Sequence, residues 1–549
     1  MQFRVWAPRA ESLSVRVIGG PTVQMERSDD GYFTARAEVG PGARYFFRFP
    51  DGRERPDPRS LFQPEGVHGP SEIVDLAAIA PRTQPARVPL EKLVFCEIHL
   101  GTYTAEGTAD AAARFMPELA QASYTAVEVM PVAAFPGECG WGYDGVAPFA
   151  AHAAYGGPAA LARLIDAAHA AGLSIFLDVV YNHLGPEGNY LSEFGPYFTS
   201  KHKTPWGDAL DFSLRPVRDY FVDNARRWTA WFDGLRLDAV HGIVDDSPKH
   251  ILQEIAEAVH AQGKLVIAES DLNDPRLIDQ YGLDAGWADD LHHALHVALT
   301  GEHQGYYADY QDPLPKLAHA IERGWFYEGA FKPSFQKRHG MPAAHLPGRR
   351  FVVCAQNHDQ IGNRARGERL IELAGADAAR VAAAVIALQP SLPLYFQGDE
   401  WGAREPFLYF TSHGDAQLAE AVRNGRREEF KEFAWQGEVP DPQSAETFLR
   451  SKIDRSRKDP SMLAWHRALL ELRSRLQDDS RASVHASVQG KVLLMQREEV
   501  LLVASFGEGP FAVQLPAGNW QVLLDSRSAE QSMGVLRGQS KHAVVLERA

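Results

Sequence analysis

Eight short apolar runs, separated by amphipathic stretches, occupy the centre of this chain between about residues 90 and 400. The runs have the length of buried strands, while stretches such as 158–172 and 248–263 carry apolar residues at helical spacing and end in glycine. Eight strand–helix repeats in series predict a closed parallel (β/α)8 barrel of the α/β class, because helices must cover the outer face of a parallel sheet. The runs begin near residues 93, 124, 173, 234, 264, 287, 351 and 392. The sixth, "WADDLHHAL", is the least strand-like of the eight.

Shorter strand patterns flank the predicted barrel on both sides. Runs such as "SLSVRVI" and "ARYFFRF" alternate between Gly, Pro and Asp turns and predict an N-terminal β-sandwich of the carbohydrate-binding type over 1–85. A non-periodic linker follows at 80–89. The barrel domain is expected over 90–478, with inserted loops and a helical extension from about residue 415. The strands of 483–549 predict a small C-terminal β-domain.

Composition narrows the class of partner and the compartment. The chain has 549 residues and a formal charge of −15, which argues against a nucleic-acid backbone and an anionic membrane surface but suits a neutral sugar. Cys96, Cys139 and Cys354 lie far apart without a C-x-x-C pair, so we expect reduced thiols in a cytoplasmic protein. Neither a signal peptide nor an apolar run of membrane-spanning length is apparent in the sequence.

Polar residues concentrate at the ends of the apolar runs. In a parallel barrel all strands end at one face, and catalytic groups are placed there. The residues at the ends of the third, fourth, fifth and seventh runs are Asp178, Asn182, His183, Arg236, Asp238, His241, Glu269, Asp271, His358 and Asp359. We therefore expect these side chains to surround one site at the mouth of the barrel.

Three of these carboxylates come from three different strands: Asp238, Glu269 and Asp359. Arg236 and Asp238 are two residues apart, about 6.6 Å along a strand, and so point to the same side. We expect Arg236 to keep Asp238 ionised, and the charge of Asp238 to favour the protonated form of Glu269. An ionised carboxylate beside a protonated one is the equipment of a retaining glycosidase.

Other interpretations of the same residues stay open. A single Asp at a strand end is usually a helix cap or a loop hydrogen-bonding group, and a single His is usually part of the core. The "LHHALH" segment at 291–296 is a weaker candidate for zinc. In "CGWGYDGV", Trp141 and Tyr143 either stack on a sugar or pack a loop, and Trp206 in the inserted loop at 184–215 poses the same alternative.

The four motifs "DVVYNH", "GLRLDAVH", "AES" and "QNHD" together resemble the conserved regions of the α-amylase superfamily, glycoside hydrolase family 13. The resemblance spans the whole barrel and implies Asp238 as nucleophile, Glu269 as general acid/base and Asp359 as transition-state stabiliser. It also implies that the sugar ring at the cleavage point is surrounded by Tyr143, His183, Arg236 and His358.

Further motifs, among them "AESDLNDPRL", "DLHHALHVALTGE" and "ETFLRSKIDRS", resemble the trehalohydrolase subgroup of that family. The resemblance implies hydrolysis of the α-1,4 bond next to the terminal trehalose of maltooligosyltrehalose, in trehalose biosynthesis. A glycogen branching or debranching enzyme, and a non-catalytic glucan-binding protein, are the alternatives. The implied substrate-binding residues are Tyr143, Asp178, His183, Arg236, His241, Asp271, Asp289, Asp290, His292, His293, His358, Gln360 and Asn363.

No cofactor is expected. Asn182 is present, but the chain has no convincing carboxylate partners for it, so no essential calcium is predicted. The partner is expected to be the oligosaccharide, and the protein a monomer or a homodimer.

Overall fold

The computed structural model of the chain describes residues 1–432 and 439–549. Eight strands in its centre pair in parallel in chain order, and the eighth pairs with the first, which confirms the predicted closed barrel. The barrel strands are β1 (Phe95–Ile98), β2 (Ala126–Val129), β3 (Ser174–Val179), β4 (Gly234–Leu237), β5 (Leu265–Ala268), β6 (Ala285–Trp287), β7 (Phe351–Cys354) and β8 (Leu392–Phe396).

The barrel interior is filled by apolar side chains from alternating strands, as a parallel barrel requires. The rings of Phe95 on β1 and Phe176 on β3 meet edge to face at 5.1 Å. Gly234 opens β4 because a Cβ there would lie 2.1 Å from the Phe176 ring. This packed layer lies beneath the strand ends and supports the polar groups above it.

The sixth strand was predicted to begin near residue 287, but only the first residue of that apolar run lies in a strand. Strand β6 ends at Trp287, and a helix, Asp289–Thr300, begins two residues later. Two carboxylates in the first turn favour the helix N-terminus, and the buried residues Leu291, Leu295 and Leu299 recur at helical spacing. The strand is therefore short, and the polar part of the run belongs to the helix.

Helices alternate with the barrel strands along the chain. The long ones are Gly157–Ala170, Arg215–Thr229, Ile251–His260, Asp289–Thr300, Pro313–Arg323, Leu370–Leu388, Ala416–Glu432 and Pro460–Arg475. The short ones are Leu76–Ile79, Leu100–Tyr103, Ala109–Ala113, Met116–Gln121, Leu191–Phe194, Arg276–Asp279, His358–Gly362 and Ala445–Arg450. Of the predicted helical extension, residues 433–438 lie outside the described residues.

Two β-domains flank the barrel, as predicted. The N-terminal one has two antiparallel sheets, Gln2–Trp6, Tyr32–Arg36 and Glu26–Arg27 in one, and Thr22–Gln24, Ser14–Val17, Arg44–Arg48, Glu54–Arg55 and Ser71–Glu72 in the other. The C-terminal one consists of Val484–Gln489, Val492–Arg497, Val500–Ser505, His542–Arg548 and Trp520–Asp525, with Phe511–Gln514, Val535–Gly538 and Glu530–Ser532 in a second sheet. We propose domain limits at 1–85, 90–478 and 483–549.

Three small antiparallel pairs extend the loops at the strand ends. They are Ala133–Ala134 with Ala147–Ala151, Phe198–Thr204 with Gly207–Leu210, and Ala330–Lys332 with Lys337–His339. The three cysteines are free thiols. Within 1–432 and 439–549, each helix is too short or too polar to cross a bilayer.

Candidate active site

The guanidinium of Arg236 is the centre of the polar cluster at the mouth of the barrel. Its Nη1 donates to Asp178 Oδ2 at 2.8 Å and to Asp238 Oδ1 at 2.7 Å. Its Nη2 lies 3.7 Å from Glu269 Oε2. Because Asp178 is the register partner of Arg236 across β3 and β4, one guanidinium collects carboxylates from three neighbouring strands.

Arg236 is only 2% exposed, so an unpaired charge there would cost several kcal/mol. The ion pairs offset that cost from one side. From the other, the guanidinium carbon lies 4.4 Å from the centre of the Trp287 ring, a cation–π contact at the end of β6. The positive charge of Arg236 is thus stabilised by residues that are distant in the sequence, such as Asp178 and Trp287.

Asp238 has a donor on each carboxylate oxygen. Arg236 reaches Oδ1, and Asn182 Nδ2 donates to Oδ2 at 2.8 Å. The next residue, Ala239, has φ 38° and ψ 52°, a left-handed conformation that is costly for a residue with a Cβ. This turn aims the Ala239 N–H at Glu269 Oε2, 2.5 Å away. The left-handed turn at Ala239 therefore links Asp238 to Glu269, the two carboxylates that were predicted to act together.

Glu269 is the most strongly perturbed carboxyl of the cluster. Burial raises its pKa to about 8; the Arg236 guanidinium opposes this rise, and the charges of Asp238 and Asp289 add to it. The neighbouring charge was predicted to favour the protonated form, and burial contributes more. At neutral pH the protonated form of Glu269 is favoured, as a proton donor requires.

A second chain of hydrogen bonds runs from β3 to β7. Tyr143 OH donates to Asp178 Oδ2 at 2.7 Å and lies 2.9 Å from His358 Nε2. Glu97 on β1 accepts from the His358 backbone N–H at 3.0 Å and also bonds its Nδ1. Burial lowers the pKa of His358, but the Glu97 carboxylate outweighs it and the pKa is raised. Burial raises the pKa of Asp178 to about 6, and the nearby charge of Arg236 opposes this rise.

His183 forms one wall beside Asn182. Its Nε2 lies 3.0 Å from the Tyr143 carbonyl oxygen, and its ring stacks on Trp206 with 4.4 Å between centroids and 3° between planes. Trp206 is at the tip of the hairpin after β3 and is 46% exposed. An exposed indole face beside the cluster is suited to stacking on a sugar ring.

Asp359 and its neighbours follow β7. Asp359 is exposed and accepts from Asn363 Nδ2 at 2.6 Å. Gln360 is used in a capping box with Asn357 at the start of the short helix His358–Gly362. The charge of Asp359 is close enough to affect both His358 and Asp289. Asp359 is thus brought to the rim of the cluster, while Gln360 serves the local helix.

Three further predicted residues, His241, Asp271 and Asp289, follow β4, β5 and β6. His241 Nδ1 lies 3.6 Å from Asp271 Oδ1. Burial, together with the charges of Asp359, Asp290 and Asp271, raises the pKa of Asp289 to about 7. These groups adjoin Glu269, which is the side of the barrel that carries the proposed proton donor.

The polar atoms of Asp290 and His292 are instead used inside the fold. Asp290 Oδ2 accepts from Asn273 Nδ2 at 2.9 Å and from the backbone N–H groups of Phe326 and Tyr327 at 2.7 and 2.8 Å. Its Oδ1 accepts from Tyr310 OH.

His292 is fully buried and bridges the Ala355 carbonyl, at 2.8 Å, and Tyr307 OH, at 3.2 Å. The ring of His293 lies among Tyr306, Tyr307 and Tyr310. The structure therefore sets these histidines among aromatic rings, away from the guanidinium of Arg236.

Glu97 of the cluster was missed as a site residue, and the contact of Trp287 with Arg236 was not expected. Glu97 holds His358, and Trp287 covers Arg236. Glu97 had a signal in the sequence, because it is a carboxylate inside the first apolar run, as Asp238 is in the fourth. Within 1–432 and 439–549, no three His, Cys, Asp or Glu side chains converge on a point that would hold a metal ion.

Known proteins resemble this chain over most of its length. The malto-oligosyltrehalose trehalohydrolase of Saccharolobus solfataricus is 43% identical over 86% of this chain and 84% of its own. That of Deinococcus radiodurans is 45% identical over 86% of this chain and 80% of its own. The chain belongs to the malto-oligosyltrehalose trehalohydrolase family. As a member of that family, it is a glycosidase.

Structure and domain comparisons agree with this family. The crystal structure of a putative alpha amylase from Salmonella typhimurium superposes with a TM-score of 0.93 at 38% identity, covering 100% of this chain and 97% of that one. Residues 477–545 match a domain of unknown function, DUF3459. The matched residues include nearly all of the C-terminal β-domain.

Proposed function

We propose that this protein hydrolyses the α-1,4-glucosidic bond next to the terminal trehalose of maltooligosyltrehalose, releasing trehalose and a maltooligosaccharide. The names of its relatives support the substrate. The observation that carries the mechanism is the pairing of Asp238 and Glu269 through Arg236 and the Ala239 N–H.

The proposed reaction has two steps. Asp238 attacks the anomeric carbon while Glu269 gives its proton to the glycosidic oxygen, so the C–O bond breaks and trehalose leaves. In the covalent intermediate, Asp238 is esterified to the sugar and carries no charge, and Glu269 is ionised. Glu269 then takes a proton from water as the water attacks the anomeric carbon, which releases the sugar and restores both carboxyls.

Asp359 is proposed to stabilise the positive charge that develops on the ring in both steps. Tyr143, His183, Arg236 and His358 enclose the same space and are proposed to hold the ring. His241 and Trp206 lie at the ends of β4 and of the hairpin after β3. We place the trehalose unit on that side, next to Glu269.

A product assay on maltotriosyltrehalose beside maltopentaose tests the proposal. We expect free trehalose and maltotriose from the first, with α-configured maltotriose as the initial product, and much slower cleavage of the second. Equal rates on both substrates would contradict the preference for a trehalose end. An initially β-configured product would contradict the retaining mechanism.

Branching activity is the second candidate, because a branching enzyme uses the same two-step chemistry with a sugar hydroxyl in place of water. Incubation with amylose distinguishes hydrolysis from branching. The formation of new α-1,6 branches would contradict our proposal and identify a branching enzyme. A cytoplasmic location, independence of metals and a monomeric or homodimeric state stay predictions.

A further inference from the structure

A cavity of 890 Å³ lies outside the catalytic cluster, between the N-terminal domain and the loops that follow β1 and β2. Seven stretches of chain line it, beginning at Pro64, Gly101, Pro136, His152, Glu187, Ser412 and Phe448. The volume is at the upper end of the range of about 300–1,000 Å³ for ligand pockets. The mechanism described above uses none of these residues.

The position of the cavity follows from the order of the barrel strands. In a closed ring of eight strands, β1 and β2 lie across the mouth from β5 and β6. Because Glu269 at the end of β5 must face the glycosidic oxygen, the leaving trehalose is on the β5 side. The rest of the sugar chain must then extend from the catalytic ring toward the opposite side, where the cavity is.

One loop connects the two places. The segment between Ala134 and Ala147 carries Tyr143 at the catalytic cluster and lines the cavity with Pro136 and Cys139. A polar path also joins them. His413 on the cavity wall lies 3.3 Å from Glu187 Oε2 and 4.0 Å from Asp144 Oδ2, and Asp144 directly follows Tyr143.

The lining is suited to a neutral polyhydroxyl ligand. Among the described residues of the wall are four carboxylates, Glu65, Glu106, Glu138 and Glu187, and one ammonium group, that of Lys452. Arg44 pairs with Glu65 and Arg114 with Glu106, which leaves Glu138 and Glu187 as the carboxylates in excess. An excess of carboxylates repels phosphate and other anions but accepts hydrogen bonds from hydroxyl groups. The half-buried ring of Phe448 offers an apolar face for a sugar.

We propose that this cavity is a distal binding site for the nonreducing part of the maltooligosaccharide chain. The inference rests on the proposed function, since it assigns the direction in which that substrate extends. A site of this kind increases the affinity for long chains. It does not change the affinity for the shortest substrate, glucosyltrehalose, because the single glucosyl unit of that substrate occupies only the catalytic ring position.

Ala154→Trp is designed to fill the cavity from its wall, and Phe448→Ala to remove its apolar face. Ala261→Trp is the matched control, since Ala261 is exposed and caps a helix C-terminus at the opposite end of the barrel. With maltohexaosyltrehalose we expect KM to rise about 10-fold in both cavity variants, equivalent to the loss of one or two hydrogen bonds. Turnover of glucosyltrehalose, which also reports correct folding, should equal that of the wild type and of A261W.

Equal loss on short and long substrates, or no loss on either, would overturn the proposal. Calorimetric titration with maltohexaose alone gives a reading that needs no hydrolysis: weaker binding to A154W than to the wild type and A261W supports the site, and equal binding overturns it. If the wild type hydrolyses no trehalose-ended substrate, the proposed function fails, and this titration still decides the cavity.

Discussion

The end of β4 and the start of the helix after β6 look alike in the sequence and differ in the structure. Each combines carboxylates with histidine: Asp238 and His241 in one, Asp290 and His292 in the other. Around Asp238 the partners are side chains, the guanidinium of Arg236 on β4 and the amide of Asn182 after β3. Around Asp290 they are the backbone N–H groups of Phe326 and Tyr327, and, in addition, the Tyr310 hydroxyl and the Asn273 amide.

The difference indicates how to separate a reactive carboxylate from a structural one. A carboxylate that accepts several hydrogen bonds from the local backbone stabilises a loop and has no free lone pair directed at a substrate. A carboxylate paired with a shared cation and lying beside a second, raised-pKa carboxyl is arranged for chemistry. Substitutions at Asp238, Glu269, Asp290 and His292 test this contrast, and the first should have the greatest consequence.

Replacing Asp238 with Asn should abolish turnover. The variant keeps the shape of the side chain but lacks the nucleophile, so we expect kcat on maltotriosyltrehalose to fall at least about 10⁴-fold. The thermal unfolding midpoint should stay close to that of the wild type. If D238N retained the wild-type kcat, Asp238 would not be the nucleophile.

Replacing Glu269 with Gln should reduce kcat by about 10²- to 10⁴-fold, the usual contribution of a general acid/base. In the wild type kcat/KM should decline above about pH 8, because Glu269 then loses the proton it must donate. The residual activity of E269Q should lack this decline. A pH profile unchanged by the substitution would mean that another group is the acid.

Replacing Asp290 with Ala should mainly reduce stability. The change leaves two backbone N–H groups and the buried Tyr310 hydroxyl without their acceptor, at a cost of about 3 kcal/mol or more in the free energy of unfolding. Urea denaturation measures this, and kcat of the folded protein should change little. A large fall in kcat without loss of stability would place Asp290 with Asp238.

Replacing His292 with Gln should change how stability depends on pH. Burial lowers the pKa of His292 to about 3, so the folded protein holds it neutral while the unfolded chain binds a proton below about pH 6.5. The wild type therefore loses stability as pH falls from 6.5 toward 4, by about 1.4 kcal/mol per unit from this residue. Denaturation of H292Q at pH 7 and 4.5 should show a smaller loss; an equal loss would mean that His292 is not buried and neutral.

The barrel, and the position of the polar residues at the ends of its strands, could be predicted from the sequence alone. Apolar runs and helical periods are local properties of the chain, and a period of two residues places Arg236 and Asp238 on one side of β4. The same local signals misplaced the end of β6, since an apolar run with carboxylates inside it satisfies both a strand and a helix.

Which of these groups contact one another depends on the folded arrangement of the strands. The register of β3, β4 and β5 brings Asp178, Asp238 and Glu269 to one guanidinium, and closure of the barrel brings Glu97 on β1 to His358 after β7. Burial, which raises the pKa of Glu269, depends on packing from every side of the mouth. These are contacts between residues distant in the chain, and a local pattern carries no information about them.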